Sequence, residues 1–232
     1  MSQEPITTVS IVSKLSKRYP AAECTLDWNT PLELLVSTML AAQCTDKRVN
    51  QVGKTLYQKY KCPEDFLKVS QEELEVDIHS CGSFRVKARA IQETCTTIIN
   101  DFDGEVPRTM KQMLTLRGVG RKTAAVVLHT AFGVVEGIPI DTHNIRLLNR
   151  LGLADSQNQD KIELQMMETT PKKDWPKLSH LLVAHGRAVC SARNRDCPNC
   201  PFQENCPSSQ TQGKTDLWKG KKTSKVRKIT TR

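Results

Sequence analysis

Near its C-terminal end the chain carries four cysteines in the order Cys190-x6-Cys197-x2-Cys200-x5-Cys206, with a proline directly after each of the last three. Four thiolates in one short stretch can close a tetrahedral zinc site or hold an iron–sulfur cubane, and either would fold a segment too polar to build its own core. Zinc ribbons usually pair two tight Cys-x2-Cys knuckles. A single knuckle with two wider intervals favours a cluster, while zinc and unligated thiols remain open on the residues alone. The other five cysteines, Cys24, Cys44, Cys62, Cys81 and Cys95, are scattered singly. The total of nine is odd, and the first residues lack the basic and apolar regions of an export signal, so a disulfide framework is not expected.

Elsewhere the apolar residues recur at helical spacing, and no stretch of β-branched residues alternates long enough to assert a strand. The chain is expected to be all-α. Helices are predicted at about residues 7–19, 31–42, 46–60, 71–79, 84–102, 121–132, 142–151, 159–169 and 175–190. Ser70 with Glu73 reads as a capping box, and Asp141 precedes Thr142-His143-Asn144 as an N-cap would. A length of 232 residues permits one or two domains. No apolar run approaches the roughly 20 residues of a membrane span, so a soluble protein is expected, cytoplasmic in a bacterium and nuclear or organellar in a eukaryote.

The net charge of +9 makes a polyanion the natural partner. Most of it sits at one end. After Cys206 come Lys214, Lys219, Lys221, Lys222, Lys225, Arg227, Lys228 and Arg232 against Asp216 alone. Residues 208–232 are therefore expected to form a basic, flexible tail, serving either solubility or nucleic-acid binding.

A second constellation is Leu116-Arg117-Gly118-Val119-Gly120-Arg121-Lys122-Thr123-Ala124, placed between two predicted helices. Two glycines around a small apolar residue let the backbone turn sharply and approach a ligand, while the following helix offers free amides. That suits a phosphate-binding hairpin, although a plain corner between helices has the same residues. Lys122 falls in the first turn of that helix, where the positive dipole end disfavours a further charge and suits an amine nucleophile. Most lysines in so basic a chain are simply solvated, so Lys122 requires a partner. Asp141, in Ile138-Pro139-Ile140-Asp141-Thr142-His143, is the candidate; an N-cap is the plainer reading of the same residue.

Taken together, these residues resemble the endonuclease III family of the helix-hairpin-helix DNA glycosylases, from about Val9 to Pro207. Leu116–Ala124 looks like that family's hairpin with its catalytic lysine, Ile140-Asp141-Thr142-His143 like its catalytic-aspartate segment, and the cysteine spacing like its cluster signature. Leu40-Ala41-Ala42-Gln43-Cys44-Thr45-Asp46, Gly104-Glu105-Val106-Pro107 and His185-Gly186-Arg187 match further.

The resemblance implies a helical barrel domain over residues 24–134, a cluster domain made of residues 1–23 and 135–207, and an active site in the cleft between them. It implies double-stranded DNA with damaged bases or abasic sites as partner, a monomeric enzyme, and a [4Fe-4S] cluster on Cys190, Cys197, Cys200 and Cys206. Lys122 would attack the sugar C1′ with help from Asp141, release an oxidised pyrimidine, and nick the strand by β-elimination through a Schiff base. DNA contacts would come from Gln43, Ser83, Phe84, Gly118, Val119, Gly120, Arg121, His143, Arg193 and Arg195, with Gln43 filling the gap left by the extruded nucleotide. Two positions depart from the family pattern. Arg117 stands where proline is usual, and Ser83 where a bulky apolar wedge is usual, which leaves Ser83 and Phe84 as rival wedges. An adenine DNA glycosylase and a non-catalytic iron–sulfur redox sensor on DNA are the alternative functions; Lys122 argues against the first, whose members typically lack a lysine there.

Overall fold

The structure, a computed structural model, describes residues 4–220, so the cations from Lys221 onward lie outside the described residues. Those residues form α1 (Thr8–Arg18), α2 (Pro31–Leu40), α3 (Asp46–Lys59), α4 (Pro63–Leu67), α5 (Gln71–Ile78), α6 (Phe84–Phe102), α7 (Met110–Met113), α8 (Arg121–Phe132), α9 (Thr142–Arg150), α10 (Gln159–Thr169) and α11 (Trp175–Ala188). Short 3-10 turns lie at Lys172–Asp174, Cys197–Asn199 and Gln210–Gln212. Among the described residues there is no strand, only an isolated antiparallel bridge between Cys190 and Arg195.

Side-chain caps set most of the helix starts. Thr30, Thr45, Thr109 and Asn158 each accept an N–H from three residues on, and Thr7 with Ser10 forms a reciprocal capping box. The box expected at Ser70 is only half made. Ser70 Oγ accepts the Glu73 N–H at 3.2 Å, but the Glu73 carboxylate is drawn away to Lys59 Nζ at 2.6 Å. Helices α4 and α7, of five and four residues, were too short to show a period in the sequence.

The chain divides into two compact units. The first contains Ala21–Pro139 and Pro171–His180, and so includes a segment that the sequence alone assigns to the other unit. Its centre is α2, which buries seven of its ten residues and packs against α3, α6 and α8. Leu34, Leu35 and Leu40 are fully enclosed there with Ile91, Ile98 and Leu128, each such side chain contributing about 1.5–3 kcal/mol by leaving water. This buried rod fixes where its C-terminal end, and hence the turn at Gln43, must stand.

The second unit comprises the chain up to Pro20, Ile140–Thr170 and everything described from Leu181 onward. It buries Ile11 and Leu15 of α1, Ile145, Leu147 and Leu148 of α9, Ile162 and Met166 of α10, and Leu181 and Leu182 of α11. The Thr8 hydroxyl donates to Thr169 O at 2.8 Å, which ties α1 to the end of α10.

Between Ser208 and Gly220 the chain is not the flexible tail expected. Ser208 and Ser209 are buried, and Asp216 accepts both Nε and Nη2 of Arg150 at 3.0–3.1 Å. The Arg150 guanidinium also lies 5.1 Å from the Trp218 ring centroid. The reason is electrostatic. Arg150 is 2% exposed, and a cation so enclosed requires a counter-charge, which the Asp216 carboxylate supplies.

Candidate active site and cysteine loop

In the first unit the chain leaves α7 at Met113, turns through 114–120 and enters α8 at Arg121. The Val119 N–H reaches Leu116 O at 3.2 Å, and the Thr94 hydroxyl on α6 holds Arg117 O at 2.8 Å. The two glycines have separate tasks. Gly118 has φ +75°, and a Cβ there would stand 3.2 Å from Ala90 Cβ and 3.5 Å from Met39 Cε, so both its conformation and its neighbours demand glycine. Gly120 has an ordinary extended φ of −92°, and a Cβ there would meet nothing within 4 Å. No neighbouring atom requires glycine at that position, and the bare backbone there is open to close approach. Val119 is only 6% exposed, so it presents backbone rather than side chain.

Gly120, having no side chain, supplies no side-chain cap to α8. Such an end binds anions readily. Lys122, the second residue of α8, is exposed, and among the described residues no hydrogen bond or ion pair holds its ammonium. Arg121 beside it is partly buried. Arg117 is exposed and pairs loosely with Glu93 at 3.5 Å, a contact worth little in water.

The insertion candidates belong to the same unit, on two adjoining turns. Gln43 and Ser83 are both exposed, with φ of +55° and +57°, and with Asp103 they are the non-glycine residues of positive φ among the described residues. A Cβ on Gly82 would lie 3.7 Å from Gln43 O, so the two turns meet there. Strained backbone at an exposed tip costs about 1–3 kcal/mol and persists where the surroundings impose it. One of those constraints escaped the sequence reading. Lys87, 6% exposed on α6, donates to Leu40 O at 2.8 Å and so holds the end of α2 from which the Gln43 turn departs. Burial pushes its pKa down. Phe84 packs against the apolar core with the Arg85 guanidinium 4.8 Å from its ring centroid, whereas Ser83 stands clear.

In the second unit Asp141 caps α9, accepting the His143 N–H at 2.8 Å, the Asn144 N–H at 2.9 Å and the Asn144 amide at 2.8 Å. All three fall on Oδ1. The plain N-cap reading is therefore correct for one oxygen, and Oδ2 takes no part in the cap. His143 Nδ1 faces Arg146 Nη2 at 3.1 Å, and the same guanidinium donates to Gly186 O and Cys190 O at 3.0 and 3.1 Å. Gly186 makes room for this: a Cβ there would stand 2.9 Å from both Arg146 Nη2 and His143 Nδ1. Arg146 and Arg150 had no role in the sequence reading because a buried arginine has no signature of its own.

Cys190, Cys197, Cys200 and Cys206 line one pocket together with Arg150, His185 and Gln203. Among the described residues no three His, Cys, Asp or Glu are grouped as a single metal ion would require. The donor set fits a larger centre. Burial, reinforced by the other three sulfurs, pushes the Cys200 thiol up to about 12 and raises Cys206 as well, so a cationic core is what would let all four exist as thiolates. Arg150 Nη1 approaches Cys190 Sγ at 3.4 Å and donates to Ser191 O at 2.7 Å. Of the two arginines expected on DNA from this loop, Arg193 is exposed. Arg195 turns inward instead, donating to Ser208 O at 2.7 Å with Asp216 3.5 Å away and its side chain 11% exposed.

Residues 36–172 match the family described as HhH-GPD superfamily base excision DNA repair protein. The chain belongs to that superfamily. Endonuclease III of Synechocystis sp. is 46% identical over 210 residues, covering 90% of this chain and 96% of that protein. Endonuclease III of Bacillus subtilis is 44% identical over 90% and 95%, and that of Escherichia coli K12 34% identical over 85% and 93%. Among solved structures, a trapped endonuclease III–DNA covalent intermediate superposes with a TM-score of 0.85 at 40% identity, covering 90% of this chain and all of that one. A non-covalent endonuclease III–DNA complex gives 0.84 at the same identity. This HhH-GPD member is thus an endonuclease III relative and a DNA glycosylase of base excision repair, and lyase action is the known activity of endonuclease III.

Proposed function

We propose that this glycosylase removes oxidised pyrimidines from double-stranded DNA and then cleaves the strand at the resulting abasic site, with Lys122 as the one nucleophile for both steps. The Lys122 amine attacks C1′ as the damaged base departs, and the base takes up a proton. Asp141 Oδ2, left outside the helix cap, stabilises the positive charge that develops on the sugar. The C1′–O4′ bond then breaks as the nitrogen lone pair makes a protonated Schiff base at C1′, O4′ takes up a proton, loss of a C2′ proton expels the 3′ phosphate by β-elimination, and water hydrolyses the imine to release Lys122. The observation that carries this reading is the unengaged Lys122 side chain at the head of α8, directly behind a turn whose Gly120 backbone is open to a phosphate. The likeness to an endonuclease III captured as a covalent DNA intermediate supports it.

The DNA backbone is gripped, in this reading, by the amides at Gly118–Arg121 and by Arg193, with His143 beside Asp141. Gln43 fills the vacated stack from one turn and Ser83 stands on the other, so this chain opens the duplex with a small polar residue rather than a bulky wedge. Cys190, Cys197, Cys200 and Cys206 hold a [4Fe-4S] cluster, which when bound supplies a four-thiolate cross-link and a redox-active centre. The protein acts as a monomer on chromosomal DNA; its relatives above are bacterial, and no helix of the described residues is long and apolar enough to cross a membrane.

The test is incubation with duplex DNA bearing thymine glycol and, separately, an abasic site, with borohydride added to capture a Schiff base. Base release, nicking and a borohydride-stable protein–DNA adduct are expected. Excision only of adenine from a mispair, or binding with no product at all, would overturn the proposal in favour of the two alternative functions.

A further inference from the structure

On α11, Gly186 is preceded by His185 and followed by Arg187. His185 lies on α11, 1% exposed, its ring between two aromatic rings: Tyr19 at 6.0 Å and 57°, and Phe202 at 6.1 Å and 88° between ring planes. Both ring nitrogens have partners. Nε2 is 3.4 Å from Cys200 Sγ, and Nδ1 is 3.2 Å from the Tyr19 hydroxyl. Tyr19 is the C-cap of α1, so the line runs from the N-terminal helix through α11 to the cysteine loop.

The direction of these bonds follows from which atoms can give a proton. A thiolate that ligates iron has none, so Nε2 must donate to Cys200. A neutral imidazole carries a single N–H, so Nδ1 must accept, and the Tyr19 O–H is its donor. Each partner fixes the other. Fe–S potentials respond to hydrogen bonds at the sulfurs, because an N–H donor stabilises the reduced, more negative centre more than the oxidised one.

We infer that Tyr19 and His185 form a positioning pair that aims one neutral N–H at the Cys200 sulfur, raising the reduction potential of the cluster and slowing its loss to oxidants. The inference rests on the cluster assigned to these cysteines above. It differs from the Arg150 contact with Cys190, which is made by a cation whose charge Asp216 already offsets. His185 supplies direction without adding charge beside the loop.

The experiment uses the full-length holoprotein and reads iron content, midpoint potential by voltammetry on DNA-free protein, Fe–S stretching frequencies by resonance Raman, and the rate of bleaching by ferricyanide. Tyr19→Phe removes one hydroxyl and keeps the packing of the ring. It is expected to keep its iron, shift the potential negative and bleach several-fold faster. His185→Leu should shift further in the same direction, by the equivalent of roughly a tenfold change in equilibrium constant. His185→Gln, whose amide reaches about as far as Nε2, should restore most of the wild-type potential. Wild-type potential, Raman frequencies and bleaching rate in iron-loaded Tyr19→Phe would overturn the inference, even if His185→Leu fails to fold. An iron-free wild-type protein is a different failure, since it removes the cluster itself and this inference with it.

Discussion

Asn144 holds Asp141 twice, through its backbone N–H at 2.9 Å and its side-chain amide at 2.8 Å, and both bonds end on Oδ1. One carboxylate therefore starts a helix with Oδ1 and leaves Oδ2 outside the cap, the oxygen to which the proposed function gives its chemistry. Asparagine caps about as well as aspartate but carries no charge. Asp141→Asn is expected to melt within about 1 kcal/mol of the parent, yet to lose most base excision, with a smaller loss of lyase action on a preformed abasic site. Thermal melting alongside single-turnover assays on the two DNAs checks this; an equal loss on both substrates would show that Asp141 does not act chiefly in base departure.

Lys122→Gln removes the amine from an exposed position at the second residue of α8, where the fold makes no use of it. Stability and duplex affinity should stay within a few-fold of the parent. Base release and nicking should both vanish, and with them the borohydride-trapped adduct. A mutant that still cross-links would move the nucleophile elsewhere.

The hairpin glycines offer a test by contrast. Gly118→Ala must place a methyl 3.2 Å from Ala90 at φ +75°, which should destabilise the protein by about 1–3 kcal/mol. Gly120→Ala meets nothing within 4 Å, so its cost should be confined to a poorer N-cap on α8, at most about 1 kcal/mol. Its effect should fall on duplex binding, measured by fluorescence anisotropy, because the added methyl occupies the space offered to a phosphate. Unaltered affinity in Gly120→Ala would mean that the DNA backbone does not pass there.

These contrasts also show what a sequence can disclose. The helices with a sustained apolar period, such as Phe84–Phe102 and Arg121–Phe132, were legible residue by residue, because burial of one face writes itself into the spacing. Lys122 and Asp141 stood in short motifs whose residue types are constrained by turns and caps. What escaped was set by long-range partners. Lys87 meets Leu40 across 47 positions, Arg146 meets Cys190 across 44, and Arg150 meets Asp216 across 66. No local pattern announces such pairs. The inward turn of Arg195 is of the same kind, since its partner Ser208 lies in a stretch that composition alone marks as flexible.

For the cysteine loop, purified protein should be brown and contain about four iron atoms per chain, as a [4Fe-4S] centre requires. Cys197→Ser should lower both iron content and melting temperature and weaken DNA binding, since Arg193 is carried on the same loop. Colourless protein with one zinc would refute the assignment.

The C-terminal stretch has two parts that the sequence presents as one. Ending the chain after Gly220 removes Lys221, Lys222, Lys225, Arg227, Lys228 and Arg232 but keeps Asp216 and Trp218. Ending it after Ser208 also takes away the carboxylate that faces Arg150. Asp216 is 26% exposed at its side chain, so the cost should lie below that of a fully buried pair, at up to about 3 kcal/mol. The shorter chain should therefore melt earlier and release iron faster, whereas the chain ending at Gly220 should match the full-length protein in both. Salt dependence should behave differently. Each cation engaged on a phosphate contributes roughly 0.9 to the slope of log affinity against log salt, so if two or three of the six engage at once, removing them lowers that slope by about 2. Both truncations should show this lowered slope, and single-turnover excision at saturating enzyme should be unchanged for the chain ending at Gly220. Equal slopes for that chain and the full-length protein would show that the terminal cations do not touch DNA, and equal melting of the two truncations would show that Asp216 does not hold Arg150 in place.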